Sequence, residues 1–381
     1  MKKVMCFLLI ILSLSITVPV KAEDINLATN ARSAILIEAS TGDIIFEKNS
    51  HEKLPPASMT KMMSMLLIVE SIEKGIIHWD DMVRASENAS SMGGSQILLE
   101  TGEEMSVSDL FKGIAVASGN DAVVAMAEKI AGTVDGFVNM MNKRAKELGL
   151  QDTNFKNPHG LTDTDHYSSA YDMALIAKEL VKHPKIFEYT SIYEDYLRDG
   201  TDRKLWLVNT NKLVRFYKGV DGLKTGYTEE AGYCLTATAN KGFRVIAVTM
   251  GEPTSQDRNK EVSEMLDYAY AQYKLNTVIS SDTVLGKEVV DRGSNKYAYL
   301  IPSEDATVLI KKMDDNKEYT YDVTVDEIKA PINVGDKVGT ISIKEDGNEI
   351  KKINLTVKDN IKKANIIELY LRYLKETLSF D

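Results

Sequence analysis

Cysteine is almost missing from this chain: Cys6 and Cys234 are the two among 381 residues. Cys6 lies inside an N-terminal apolar run, so a processed chain keeps Cys234 alone, and one cysteine makes no internal disulfide. Stability therefore has to come from a core. The 5 histidines are scattered, with no H-E-x-x-H and no paired C-x-x-C, so no metal spacing stands out and no cofactor is expected. Basic residues are in deficit: Lys+Arg number 46 against 56 Asp+Glu, a net charge of −10, which argues against a nucleic-acid partner. There is no low-complexity tract and no internal repeat.

What is present is a globular composition, 44% hydrophobic and 27% charged, with length for two domains of ordinary size. Residues 1–22 read as a secretory signal. Lys2 and Lys3 give the positive start, 6–18 are nearly all apolar, and Val20-Lys21-Ala22 offers small residues for cleavage. The run is short for a spanning helix, which needs about 20 residues. Cys6 comes too early in it to carry a lipid at a cleavage site. An exported protein is expected.

The stretch Pro55-Pro56-Ala57-Ser58-Met59-Thr60-Lys61 organises the rest. Two prolines stop what precedes it, and the apolar run 59–69, ending near Gly75, predicts a buried helix. Positions i and i+3 share a helix face, so the Lys61 amine should sit beside the Ser58 hydroxyl, at a helix end that favours negative charge. A serine hydroxyl needs a base, and a lysine serves as one only if burial or a nearby cation lowers its pKa. Alone the pattern is weak, because serine is a preferred helix cap and Ser71-Ile72-Glu73-Lys74 repeats it at the polar end of the same helix.

A hairpin is predicted from 34–38 and 43–47 around Ser40-Thr41-Gly42. Residues 79–107 read as connecting structure. Helices are expected over 110–117, 122–130, 137–148, 171–181 and 261–273, and strands over 232–239 and 243–250 joined by Asn240-Lys241-Gly242. Strands at both ends with helices between imply an α+β domain built on one antiparallel sheet. From 277 to 358 short alternating segments with turns at Gly335-Asp336 and Gly347-Asn348 imply a small all-β domain, and the chain turns helical beyond 361.

Two further fragments complete a constellation: Ser118-x-Asn120 and Lys224-Thr225-Gly226. The first offers a hydroxyl and an amide to relay protons and hold a substrate carbonyl, with Gly119 letting the backbone turn. The second puts an ammonium and a hydroxyl on an edge strand that can pair with an extended peptide and hold an anion. Gly226 leaves room beside the nucleophile, and the N–H groups of Ser58 and Tyr227 can form an oxyanion hole. Lys224 near Lys61 would lower its pKa by repulsion. S-x-N recurs at Ser86-Glu87-Asn88, but K-T-G occurs once, and the order of all three carries the argument.

With these motifs the chain resembles the low-molecular-mass penicillin-binding proteins, serine-type D-alanyl-D-alanine carboxypeptidases, from about residue 34 to the C-terminus. The likeness includes Val116-Ala117-Ser118-Gly119-Asn120-Asp121-Ala122, Asn157-Pro158-His159-Gly160-Leu161, Asp221-Gly222-Leu223-Lys224-Thr225-Gly226-Tyr227-Thr228 and Ala231-Gly232-Tyr233. It implies a penicillin-binding/β-lactamase-like domain over 23–274, an antiparallel sheet flanked by helices plus a helical subdomain. A β-sandwich-like domain over 275–360 and an amphipathic membrane-surface helix over 361–381 would follow. It further implies the D-alanyl-D-alanine end of peptidoglycan stem peptides as substrate, an acyl-enzyme on Ser58, acylation by penicillins, and work outside the cytoplasmic membrane. Lys61 and Ser118 would be catalytic; Asn120, Lys224, Thr225, Gly226, Tyr227 and Arg258 would bind substrate, Arg258 helping with its terminal carboxylate. Some relatives have histidine where Tyr227 stands. His159 reads as a turn residue beside the cleft and Cys234 as a buried small hydrophobe. Two alternatives are a β-lactamase of this fold, against which the lack of an E-x-x-L-N context speaks, and a wall-binding protein without activity, against which the intact motifs speak. In the last segment Ile367, Tyr370, Leu371, Leu374 and Leu378 recur at helical spacing, widened by Ile366, Leu369 and Tyr373, with Lys362, Lys363, Arg372 and Lys375 among the polar positions. Such a helix cannot span a bilayer but can lie in its interface; the alternative is docking on the β domain.

Overall fold

The computed structural model describes residues 25–314 and 317–378; the expected signal at 1–22 lies outside them. The first sheet has five antiparallel strands in the order Ile44–Lys48, Ser33–Glu38, Arg244–Glu252, Gly232–Asn240, Val220–Thr228. The two ends of the first domain therefore meet in one sheet, Ser33 opposite Met250 and Glu38 opposite Val245. All six residues of Ser33–Glu38 are buried because both sheet faces are covered. Ile35 and Ile37 point into one core with Ile246 and Val248. Ala34 and Leu36 point into the other, with Val262, Met265 and Leu266 of the helix Ser255–Gln272. A strand covered on both faces reads as a continuous apolar run, which is how these read in the sequence.

The larger core belongs to the helical side, and the helix Lys61–Glu73 runs through it. It is apolar all round and is buried accordingly; Met62, Met63, Met65 and Leu66 are fully enclosed. Helices Val107–Ala117, Asn120–Ala131, Val134–Glu147 and Ala170–Leu180 complete that side.

Two boundaries differ from expectation. Ser58 precedes the α-helix, in a 3-10 turn Ala57–Thr60, and the helix starts at Lys61. The last helix of the first domain begins at Ser255, not near 261, because the Thr254 hydroxyl caps it by accepting from the Asp257 N–H. That first turn is polar, so apolar periodicity misses it, and Arg258 lies inside the helix, 6% exposed. The helix ends at Gln272 and a strand starts at Tyr273 with no linker between. Beyond it, Gly286–Val289, Tyr297–Pro302, Asn348–Val357, Gly339–Glu345 and Tyr319–Val325 form a second five-stranded sheet over a core of Leu300, Ile341, Ile343 and Leu355.

Asp121 ties the segment before Val107–Ala117 to this frame. It is 1% exposed and accepts from the N–H groups of Ile97 (3.0 Å), Leu99 (3.1 Å) and Ala122 (2.8 Å). Asp121→Asn turns one acceptor oxygen into a donor facing donors. Its cost should be about 3 kcal/mol, read from urea unfolding; an unchanged midpoint would contradict this account of the loop.

Candidate active site

The Lys61 side chain is fully buried, and its Nζ lies 3.0 Å from Ser58 Oγ, 2.6 Å from Asn120 Oδ1 and 2.7 Å from the His159 carbonyl oxygen. Asn120 Oδ1 and a carbonyl can only accept. A neutral amine giving its two N–H bonds to these acceptors would keep its lone pair for the Ser58 hydroxyl. Burial, then the charge of Lys224, hold the Lys61 pKa well below its ordinary value, against a smaller opposing pull from Asp121.

Each neighbour is positioned by a local device. Asn120 opens its helix, and its Nδ2 donates to the Gly93 carbonyl at 2.7 Å. The loop bearing His159 presses on the nucleophile turn: Gly160 has φ +86°, and a Cβ there would meet the Ala57 oxygen at 1.8 Å, so glycine alone fits. Ser118 ends its helix in the left-handed region, φ 64°, a costly place for serine. Its hydroxyl is buried without a hydrogen-bond partner among the described residues and lines the cleft.

On the edge strand Val220–Thr228, Gly226 faces the nucleophile; a Cβ there would lie 2.8 Å from the Pro56 oxygen and 3.2 Å from the Ser58 nitrogen. Lys224 is 1% exposed, donates to the Thr225 carbonyl at 3.0 Å, and is pushed down to about 7 by burial and then by Arg258. Thr225 Oγ1 donates to Thr210 Oγ1 at 2.8 Å. Tyr227 is 53% exposed, with its ring 4.4 Å from that of Tyr233. The Arg258 guanidinium donates to Asn259 Oδ1.

A cleft of about 500 Å³ is lined by Ser58, Ser118, Thr225, Gly226, Tyr227 and Arg258 among others. The remaining expected site residues, Lys61, Asn120 and Lys224, are buried and not part of its lining. Sequence reasoning missed the His159 carbonyl, Thr210, and a support under the nucleophile turn. In that support His166 Nδ1 accepts from the Lys156 N–H at 3.1 Å, so its Nε2–H donates to Thr60 Oγ1 at 2.8 Å. Burial holds His166 down to about 4, so it stays neutral in this role.

A buried lysine against a serine at the junction of a sheet and a helical subdomain defines a serine acyl-transfer enzyme of the penicillin-binding fold. The chain belongs to the D-alanyl-D-alanine carboxypeptidase family, whose sequence profile matches residues 19–254; that of the penicillin-binding protein 5 C-terminal domain matches 273–363. It is 52% identical over 355 residues to the D-alanyl-D-alanine carboxypeptidase DacF of Bacillus subtilis, covering 93% of this chain and 90% of that protein. It is 34% identical over 372 residues to DacA of Escherichia coli, covering 93% and 91%. Penicillin-binding protein 5 from Haemophilus influenzae superposes with a TM-score of 0.73 at 32% identity, covering 88% of this chain and 98% of that one. Penicillin-binding protein D2 from Listeria monocytogenes, in its ampicillin-bound form, superposes with 0.58 at 30% identity, covering 64% and 98%. The chain is thus a serine peptidase.

Gly226→Ala should push the edge strand off the Ser58 turn and slow acylation by a fluorescent penicillin about 100-fold, with little change in thermal midpoint. An alanine variant labelled at the normal rate would show that the close approach has no role.

Proposed function

We propose that Ser58 is the nucleophile of D-alanyl-D-alanine cleavage, with neutral Lys61 as its base. The observation that carries this is the desolvated Lys61 amine 3.0 Å from Ser58 Oγ. Lys61 takes the hydroxyl proton as Oγ attacks the carbonyl of the penultimate D-alanine. The N–H groups of Ser58 and Tyr227 stabilise the oxyanion. The proton then passes, by way of the Ser118 hydroxyl, to the departing amine of the terminal D-alanine, and Asn120 steadies Lys61 and the substrate amide. Water hydrolyses the ester with Lys61 as base again. Lys224, Thr225 and Arg258 hold the terminal carboxylate. A penicillin would enter the same way and stay as the acyl-enzyme. Among the described residues no carboxylate lines the cleft, which favours slow release of penicillin over β-lactamase turnover.

Residues 23–274 would form the catalytic unit, 275–360 the β unit, and 361–381 a membrane-surface helix on the outer face of the cytoplasmic membrane. In the helix Ile366–Leu378, Ile366, Ile367, Tyr370, Leu371 and Tyr373 are exposed, Arg372 ties the helix to the β unit by donating to the Gly293 and Ser294 carbonyls, and Lys362 and Lys363 are exposed beside it. No helix among the described residues is long and apolar enough to cross a membrane. An exposed apolar face flanked by cations suits anionic lipid, at about 1 kcal/mol per charge.

Ser58→Ala should abolish penicillin labelling and leave the fold intact. Lys61→Arg stays protonated near pH 7 and should lose acylation by about 1000-fold or more. In the free enzyme Lys224 loses its charge above about pH 7. The kcat/KM for peptide should therefore fall above that pH, and Lys224→Arg should keep most activity while moving the fall upward. Equal, mild effects of both lysine changes would count against these roles. Deleting residues 364–381 should give an enzyme that cleaves small peptides normally but no longer sediments with anionic vesicles; a truncated form that pellets as before, or unfolds, defeats the anchor reading.

A further inference from the structure

Two carboxyl groups meet where water does not reach. Glu252 ends the strand Arg244–Glu252, opposite Tyr233 of the next strand, and is 1% exposed. Glu261 lies in the second turn of the helix Ser255–Gln272 and is 3% exposed. The two side chains are within hydrogen-bond reach of each other. Glu261 already accepts on both oxygens, from the Asn30 N–H at 2.8 Å and the Ala31 N–H at 3.3 Å. Both Glu252 oxygens are buried, and no N–H or O–H among the described residues donates to either. Two ionised carboxylates offer acceptors only, so a bond between them needs a proton. Glu261 accepts on each side, which leaves Glu252 to carry it.

No cation takes the place of that proton. Facing Glu252 are Asp257 and Arg258 from the helix, Lys48 from the strand Ile44–Lys48, and Tyr233 and Cys234 from the strand Gly232–Asn240. Arg32 packs against the neighbouring Gly251. Lys48 donates to the Ala28 and Thr29 carbonyls, Arg32 pairs with Glu52, and the Arg258 guanidinium donates to Asn259. Burial first, then Glu261, push Glu252 up to about 8.

The bond joins the central strand of the sheet to the helix, and Glu261 joins the helix in turn to the chain at 30–31. Arg258 stands three residues before Glu261, on the same helix face, and lines the cleft. We propose that Glu252 is a positioning residue for the peptidase: as the protonated partner of Glu261 it fixes the helix that brings Arg258 to the cleft. Its part in the reaction rests on the reading of Arg258 as a carboxylate-binding group. Without the proton two buried charges repel, and the helix moves off the strand, taking Arg258 with it.

The folded chain keeps this proton up to about pH 8, whereas an unfolded glutamate releases it near 4.5. The stability it supplies is full below the lower value and is lost as pH rises to the upper one. Urea unfolding of the full chain between about pH 5 and 8 reads this directly. Relative to Glu252→Gln, whose amide donates at every pH, the wild-type folding constant should fall about tenfold per pH unit. Parallel curves would overturn the shared proton.

Kinetics on a D-alanyl-D-alanine peptide test the positioning. Glu252→Leu, which removes the donor, should raise KM about fivefold or more with kcat within about twofold, and Glu252→Gln should restore the wild-type KM. A normal KM in Glu252→Leu, or a Glu252→Gln variant with a KM raised fivefold or more, would overturn the positioning role. Where Glu252→Leu does not fold, Glu252→Gln and the pH comparison decide. Arg258→Ala keeps the two readings apart. An unchanged KM there defeats the carboxylate reading of Arg258 and the positioning role with it, whereas a raised KM there beside normal Glu252 variants defeats the positioning role alone.

Discussion

A lysine without water is the constraint on which this structure depends. Lys61 sits at the start of the most enclosed helix, with its amine fully buried. A charge there is expensive unless paired, and the groups within reach are a hydroxyl, an amide oxygen and a carbonyl. Those acceptors come from separate parts of the chain, the Ser58 turn, the helix opening at Asn120 and the 157–160 loop. The helical side must hold all of them at once. The absence of a side chain at Gly160, the Asp121 clamp and the His166–Thr60 bond are the local means.

Electrostatics finish what burial begins. In a chain of net charge −10, Lys61, Lys224 and Arg258 are gathered at one cleft, each with its pKa lowered first by burial. A buried lysine of folded pKa about 7 against 10.5 unfolded binds fewer protons folded than unfolded between those values, so stability rises with pH through that window and the lysine is a burden at neutral pH. Such a burden is the mark of a functional group. In the proposed role an incoming carboxylate would relieve it by restoring the cation, which would couple substrate binding to the charge state of the site.

Much of this was legible in the sequence, because much of it is local. S-x-x-K needs a single helical turn to bring amine to hydroxyl, and K-T-G leads directly into two strong strand patterns. The sheet built from both ends of the first domain followed from hairpins flanking helical segments. What escaped was of three kinds. Backbone groups leave no side-chain signature, so the His159 carbonyl gave no signal. Polar first turns leave no periodicity, so the start at Ser255, and with it the burial of Arg258, was hidden. The Thr225–Thr210 bond spans residues that nothing in their spacing connects.

The most direct test is the protonation state of Lys61 itself. Lysine side chains labelled with carbon-13 and nitrogen-15 allow titration of Lys61 by NMR, assigned with a Lys61→Met variant. The account predicts a pKa well below 10.5, rising when Lys224 is replaced by methionine because a neighbouring cation is removed. A Lys61 that titrates at its ordinary value, indifferent to Lys224, would contradict it.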